Sequence, residues 1–471
     1  MNEVDPFESR MTAMLAGVSP AARALLERQV TAEGPRPSVP TIPMPAPVLV
    51  ADNPPPPVAK PASFKLPPSA DPYARLCEAF FEPLGIFIVH EKLTTREPGR
   101  IVWPDCEHLW SWFRREVAAA EIDAASSMFA RGGDPLPELR NLILSRTENV
   151  VASGVSSITN RRRIASQVGG EDGYAVLSSV ATAFDLVAWA ANIVNQLPEH
   201  VTKDQIDRRP GMIAPVAAAT EQRAGVTAWL YSALLSRLES PATLARIAVI
   251  LANTDRDEDL SHSRHAPAID ILLSEVEICV ERMRVHRELR SPTETINAIV
   301  GRYRHLVRQL SIDVDLRQGS RWSQRLATAK MNASAQLEHD VSSADGLTRQ
   351  VLRTRLVSGA KATLDTDLLD DAERSLRILN AVTDAADVFT LNAAIAGARR
   401  DVGRAFEALV DPLINALRTA EGDERVELLK RCDGAIRLAG VHYGPEFEAI
   451  LQRSRNVAIA SRNRTPAAAR P

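Results

Sequence analysis

Three groups of residues have the types and spacing to do chemistry. The first is Asn253-Thr254-Asp255-Arg256-Asp257-Glu258-Asp259, followed by His262 and His265. Alternating carboxylates at Asp255, Asp257 and Asp259 begin like a calcium loop. Leu260 then stands where the sharp turn needs glycine, and Ala266 where the bidentate glutamate belongs. Imidazole and carboxylate together suit zinc or iron, so the 255–265 Asp/His loop defines a helical-metalloenzyme reading. The plainer reading is a solvated loop leading into the next helix, and no metal ligand is assigned.

The second group is basic. Residues 282–330 hold 11 basic side chains against four acidic ones, in a chain whose net charge is −3. Arg302, Arg304 and Arg308 belong to one expected helix. Arg317, Arg321 and Arg325 follow at intervals of four, which would align three guanidinium groups on the next helix. Such a face suits phosphates or an acidic partner, giving a nucleic-acid-binding alternative for the 282–330 segment. Pairing with the acidic remainder of the chain is the plainer account.

The third group, Asp365, Asp367, Asp370, Asp371 and Glu373, resembles carboxylates that hold magnesium-diphosphate. It lacks a matching second set, and acidic residues at a helix start follow from the helix dipole alone. No serine or cysteine sits in a recognisable nucleophile elbow. Arg161-Arg162-Arg163 ahead of Ser166 reads as an exposed helix end. Catalytic, cofactor-binding and metal residues are therefore not assigned, and no cofactor is expected.

The elements that would carry these groups are mostly helical. Alanine and leucine are abundant, while aromatic residues make up 5% of the chain. Eight of the 22 aromatic residues fall between Tyr73 and Phe113, which marks that stretch as the anchor of a core. The runs Gly85–Val89 and Arg100–Trp103 are β-prone and predict a small hairpin near 85–103. From about residue 135 the apolar period stays near 3.6, predicting helices near 137–152, 172–197, 215–238, 241–253, 266–290, 292–311, 316–341, 345–358, 366–383, 385–418, 422–438 and 445–461. The fold class expected is mainly α, an irregular helical bundle or array.

Ahead of the body, residues 1–31 predict a short helical arm with Phe7, Met11, Met14 and Leu15 on one face. Residues 32–70 follow as a Pro-rich disordered linker, and 14 of the 31 prolines lie between Pro35 and Pro72. The body divides in expectation into an aromatic-anchored helical domain at 71–253 and a C-terminal helical domain at 266–461, with a disordered tail at 462–471. The most apolar window, Ala175 to Leu197, is interrupted by Asp185, Asn192 and Asn195 and reads as a buried helix. Four scattered cysteines form no CxxC pair, and the opening MNEVDPFESR is no signal peptide, so a cytoplasmic location is expected.

One stretch resembles a known family. Leu391-Asn392-Ala393-Ala394-Ile395, with Arg399, Gly403-Arg404 and Phe406, is similar to the hairpin tip of bacterial chemoreceptor signalling domains, where that tip contacts adaptor and kinase. The similarity covers about 16 residues and is one residue short between Arg399 and Gly403. Pro412 interrupts the returning helix, and the chain is not assigned to that family.

The function expected is that of a non-enzymatic interaction protein, an adaptor or scaffold. It would dock other proteins through Phe7, Met11, Met14 and Leu15 of the arm and through a second face formed by Arg302, Arg304, Arg308, Arg317, Arg321 and Arg325.

Overall fold

The computed structural model describes residues 71–289, 295–353 and 364–460. The expected arm with Phe7, Met11, Met14 and Leu15, the Pro-rich segment and the tail lie outside the described residues. Among the described residues the fold is mainly α, with eighteen α-helices and one two-stranded sheet. They divide into two compact units, one of residues 71–339 and 381–392 and the other of residues 340–380 and 393–460. The loop at 254–266, where a seam was expected, lies inside the first unit.

In the first unit α1 (Pro72–Phe81) starts at Asp71, whose carboxylate accepts the Tyr73 N–H at 3.0 Å, with Pro72 opening the helix. The two β-prone runs do pair, as β1 (Ile88–Val89) and β2 (Ile101–Val102), but in parallel, Ile88 opposite Ile101 and Val89 opposite Val102. A hairpin would need a tight reversal. The intervening chain instead runs out as a strap, because Glu91, Glu97 and Arg100 reach across to Arg282, Arg325 and Glu275. Gly99 fixes the strap's return: its φ is 84°, and a Cβ there would meet the Ala228 carbonyl oxygen at 2.5 Å.

Then come α2 (Trp103–Trp112), α3 (Ala119–Ala130), α4 (Leu136–Ser156), α5 (Ile158–Gln167) and α6 (Glu171–Val194). The expected aromatic anchor is a buried cluster. Phe80 meets Phe81, Trp110 and Phe184 at centroid distances of 5.0, 5.3 and 5.5 Å. Helix α6 is the one described helix long and apolar enough to cross a membrane. Here Leu177, Val180, Ala183, Leu186, Ala190 and Val194 are buried among its neighbours.

Helix 215–238 is not continuous. It breaks at Arg223 into α8 (Ala214–Gln222), after the short α7 (Lys203–Arg208), and α9 (Thr227–Leu234). Gly225 and the β-branched Val226 occupy the break, and both have low helix propensity. After α10 (Thr243–Ala252) and α11 (Asp257–Ser261) comes α12 (Ala266–Glu288), the centre of this unit. It is buried without interruption from Ile271 to Cys279. A helix enclosed on all sides must neutralise whatever charge it carries, and this one carries Glu275 and Glu277. Helix α13 (Ile296–Asp313) packs along it, with Ile299, Tyr303, Leu306 and Leu310 buried.

The two helices expected at 316–341 and 345–358 are one, α14 (Arg321–Leu352), since no proline falls inside it and Ala333, Leu337, Val341, Ala344 and Val351 keep its buried stripe continuous. The second unit holds the end of α14, most of α15 (Thr366–Asp384), α16 (Asn392–Thr419), α17 (Gly422–Tyr443) and α18 (Pro445–Ala460). Its core includes Phe406, Tyr443 and Phe447, with the Phe406 and Tyr443 rings 5.4 Å apart edge to face. From Asn392 onward the chemoreceptor-like stretch lies within the single continuous α16, with Pro412 inside it, and forms no hairpin tip.

Candidate functional site

The six arginines expected to form one partner-binding face do not share one. Arg302 is buried, 7% exposed, with its Nη2 2.8 Å from Glu275 Oε2. Arg304 and Arg308 both turn to Asp387, at 3.5 and 2.6 Å. Arg317 lies before the helix and pairs with Glu258 at 3.0 Å, while Arg321 pairs with Asp270. Arg325 points inward, 2.5 Å from Glu97 and 2.6 Å from Glu277. The interval of four aligns side chains only on a continuous helix, and α14 begins at Arg321, after Gly319 with its φ of 85°. Arg302 and Arg325 are therefore withdrawn from any outer surface of this unit, and the other four are held by carboxylates.

The Asp/His loop also resolves into separate parts. Asp255 and Asp315 run side by side: the Asp315 N–H donates to the Asp255 carbonyl at 2.8 Å. Asp257 is buried and its Oδ2 accepts the Arg317 N–H at 2.9 Å. Asp259 Oδ2 lies 3.5 Å from the Thr254 hydroxyl. His262 turns Nδ1 back to the Glu258 carbonyl, 2.7 Å away. His265 goes inward, with Nδ1 2.6 Å from the Tyr231 hydroxyl, and burial lowers its pKa. The two imidazoles thus diverge, and among the described residues no group of three His, Cys, Asp or Glu side chains could hold a metal ion. This loop acts as a splice that ties α11 to the approach to α14.

Beneath the strap lies a belt of buried charge that the linear order of residues conceals. Glu275 receives Arg100 on one oxygen and Arg302 on the other. Burial raises its carboxyl pKa, but Arg100, Arg302 and Arg282 more than reverse that, leaving it below the ordinary value. Two residues further along α12, Glu277 shares Arg325 with Glu97, and Asp270 is 3.9 Å from the same guanidinium. Burial pushes the Glu97 carboxyl up to about 7, with Asp270 and Glu277 adding to the rise and Arg325 and Arg321 opposing it. Trp322 Nε1 donates to Asp270 Oδ1 at 2.8 Å. The belt binds the strap, α12, α13 and α14 into one frame, and its charges are spent internally.

Two further features face outward. The first is the turn between α4 and α5, where Val155 and Ile158 are 80% and 69% exposed and Arg161, Arg162 and Arg163 follow. The turn is held rigidly. Ser157 caps α5, the Tyr174 hydroxyl donates to the Val151 carbonyl at 3.2 Å, and a Cβ on Gly154 would meet that hydroxyl at 2.5 Å. Arg161 lies over the Tyr174 ring and pairs with Glu171 at 2.9 Å. No contact of Arg162 or Arg163 with another charged side chain occurs among the described residues.

The second is a cleft of about 380 Å³ bordered by α7, the start of α10 and α13. Inside it His305 Nε2 lies 3.0 Å from Ser240 Oγ. Lys203 stands on the same wall, bonded to Asp313 Oδ1 at 2.6 Å and Gln309 Oε1 at 3.2 Å. Sequence reading missed this pair, since 65 residues separate the two and neither lies in a motif. Comparison of the chain with protein-family models, with curated proteins and with solved structures finds no match.

Proposed function

We propose that this chain is a helical interaction protein, an adaptor or scaffold of the cytoplasm, which docks other proteins through the α4–α5 turn of its body and through its N-terminal arm. The observation carrying the reading is the pair Val155 and Ile158. Large aliphatic side chains elsewhere in the unit are mostly buried, whereas these two project from a rigid turn beside unpaired arginines. Burying an exposed Val or Ile side chain yields about 1.5–3 kcal/mol. A turn already fixed by Tyr174 and the Ser157 cap loses little conformational freedom on docking. The surface it fits is a protein with an apolar socket and an acidic rim, which Arg162 and Arg163 would approach.

The buried charge belt supports the same reading from the other side. Ion pairs of this unit hold helices in fixed relation and engage Arg302, Arg308, Arg321 and Arg325 within the chain, so the nucleic-acid reading gains nothing from their arrangement. The four cysteines are buried and none is joined in a disulfide, as suits a reducing compartment.

The double variant Val155→Asp with Ile158→Asp tests this. It is expected to lose at least tenfold in affinity for a partner captured by the full-length protein and confirmed with purified components, with no fall in Tm, because both side chains are solvated in the free chain. Deleting residues 1–31 is expected to weaken capture separately. Retention of every partner by both variants would refute the docking reading.

A further inference from the structure

We propose that Ser240 is an activated nucleophile with His305 as its base, and that the cleft around them accepts small acyl esters, forming and hydrolysing an acyl-serine. This goes beyond the docking reading and does not depend on it.

The 3.0 Å separation of His305 Nε2 and Ser240 Oγ is that of a nucleophile and its base. The hydroxyl oxygen already accepts the Ala242 N–H at 3.2 Å, which leaves its proton free for the imidazole. His305 must then present an unprotonated Nε2, and its environment favours the neutral ring. Burial lowers its pKa, and Lys203 lowers it further against the opposing pull of Glu239. Ser240 lies two residues before Ala242, the N-cap of α10 (Thr243–Ala252), and the Ala242 N–H aimed at Oγ favours negative charge developing there.

Lys203 supplies the remaining part. An ammonium has three N–H donors, and Asp313 and Gln309 engage two, so one is left for the oxygen of a reacting carbonyl. The cleft has room for a short acyl chain and its leaving group, and Ser240 is only partly buried.

The reaction balances with water as the only co-reactant. Ser240 Oγ bonds to the ester carbonyl carbon as its proton passes to His305 Nε2. The tetrahedral intermediate collapses, the bond to the alcohol oxygen breaks, and the alcohol leaves with the proton from the imidazolium. Water then attacks the acyl-serine, giving its proton to Nε2. The carbon–Oγ bond breaks, Oγ regains the proton, and a carboxylic acid is released.

The test uses the full-length protein and p-nitrophenyl acetate. A burst of about one equivalent of p-nitrophenolate is expected, with an acetyl group on the peptide containing Ser240. Ser240→Ala should abolish that adduct, and His305→Gln should slow its formation about 10²- to 10⁴-fold. A fluorophosphonate should label the same serine in the wild-type protein. The wild-type rate should rise with pH and reach a plateau once the imidazole is neutral, which remains readable even if His305→Gln does not fold. Acetylation confined to lysines, an equal rate in a folded His305→Gln variant, or a rate that climbs with hydroxide and never levels would overturn the proposal.

Discussion

Glu275→Gln is expected to destabilise the first unit by about 3–5 kcal/mol at pH 7, the cost of breaking a buried ion pair from one side. Glu275 is 6% exposed at the centre of α12, and its two oxygens receive Arg100 from the strap and Arg302 from α13. An amide of the same shape keeps the packing but leaves two buried guanidinium groups without a counter-charge. The loss is mainly their desolvation, so replacing all three by apolar residues, Arg100→Met with Glu275→Leu and Arg302→Met, should recover most of it. All six tryptophans lie within residues 71–339, so urea unfolding followed by tryptophan fluorescence reads this unit alone. The pH dependence has a defined sign. The folded carboxyl is held below its ordinary value of 4.5, so its stabilisation is present above that pH and disappears as pH falls through the lower folded value. Midpoints that coincide for the single variant and the wild type at pH 7 would mean that Glu275 does not hold the frame together.

What could be read from the linear order was whatever depends on near neighbours. The 3.6-residue period placed α6, α12, α13 and α17 nearly where they lie, because burial of one stripe is a local pattern. The rings from Phe80 to Phe113 identified a core since they are both large and close in the chain. What was lost depends on distant partners. Arg325 looked like part of an outward row until Glu97, 228 residues earlier, took its guanidinium. Arg302 and Glu275 are 27 residues apart on different helices, and Arg100 and Glu275 are 175 apart. Period alone could not show that 316–341 and 345–358 are one helix, nor that 215–238 is broken. The strands were found but their direction was not, because the strap's course is fixed by ion pairs and by Gly99 against Ala228. Of the candidate sites, His262 and His265 were close in sequence yet diverge, whereas Ser240 and His305 were distant and meet.

Glu97→Gln is expected to have the opposite sign from Glu275→Gln. Glu97 is buried under the strap, with one oxygen 2.5 Å from Arg325 Nη1. Arg325 must also neutralise Glu277 and has Asp270 nearby, so one guanidinium and the outer Arg321 serve three carboxylates. Burial and that crowding raise the Glu97 carboxyl from 4.5 to about 7. A carboxyl whose folded pKa is raised stabilises the fold fully below the unfolded value, and the contribution is lost as pH rises through the folded value. Stability linked to Glu97 should therefore decline between about 4.5 and 7 and level off above. Glutamine keeps an acceptor for Arg325 and cannot ionise. At pH 8 the variant should be more stable than the wild type by roughly 1–2 kcal/mol, taking about 1.36 kcal/mol for each tenfold change in proton affinity and discounting for solvent screening. At pH 5, where Glu97 is mostly protonated in the folded chain, the two proteins should converge. Urea midpoints read by tryptophan fluorescence at pH 5, 6.5 and 8 trace the crossover. A variant that is less stable than the wild type at pH 8 would show instead that the ionised Glu97–Arg325 pair strengthens the strap, and that the crowding of carboxylates beneath it carries no cost.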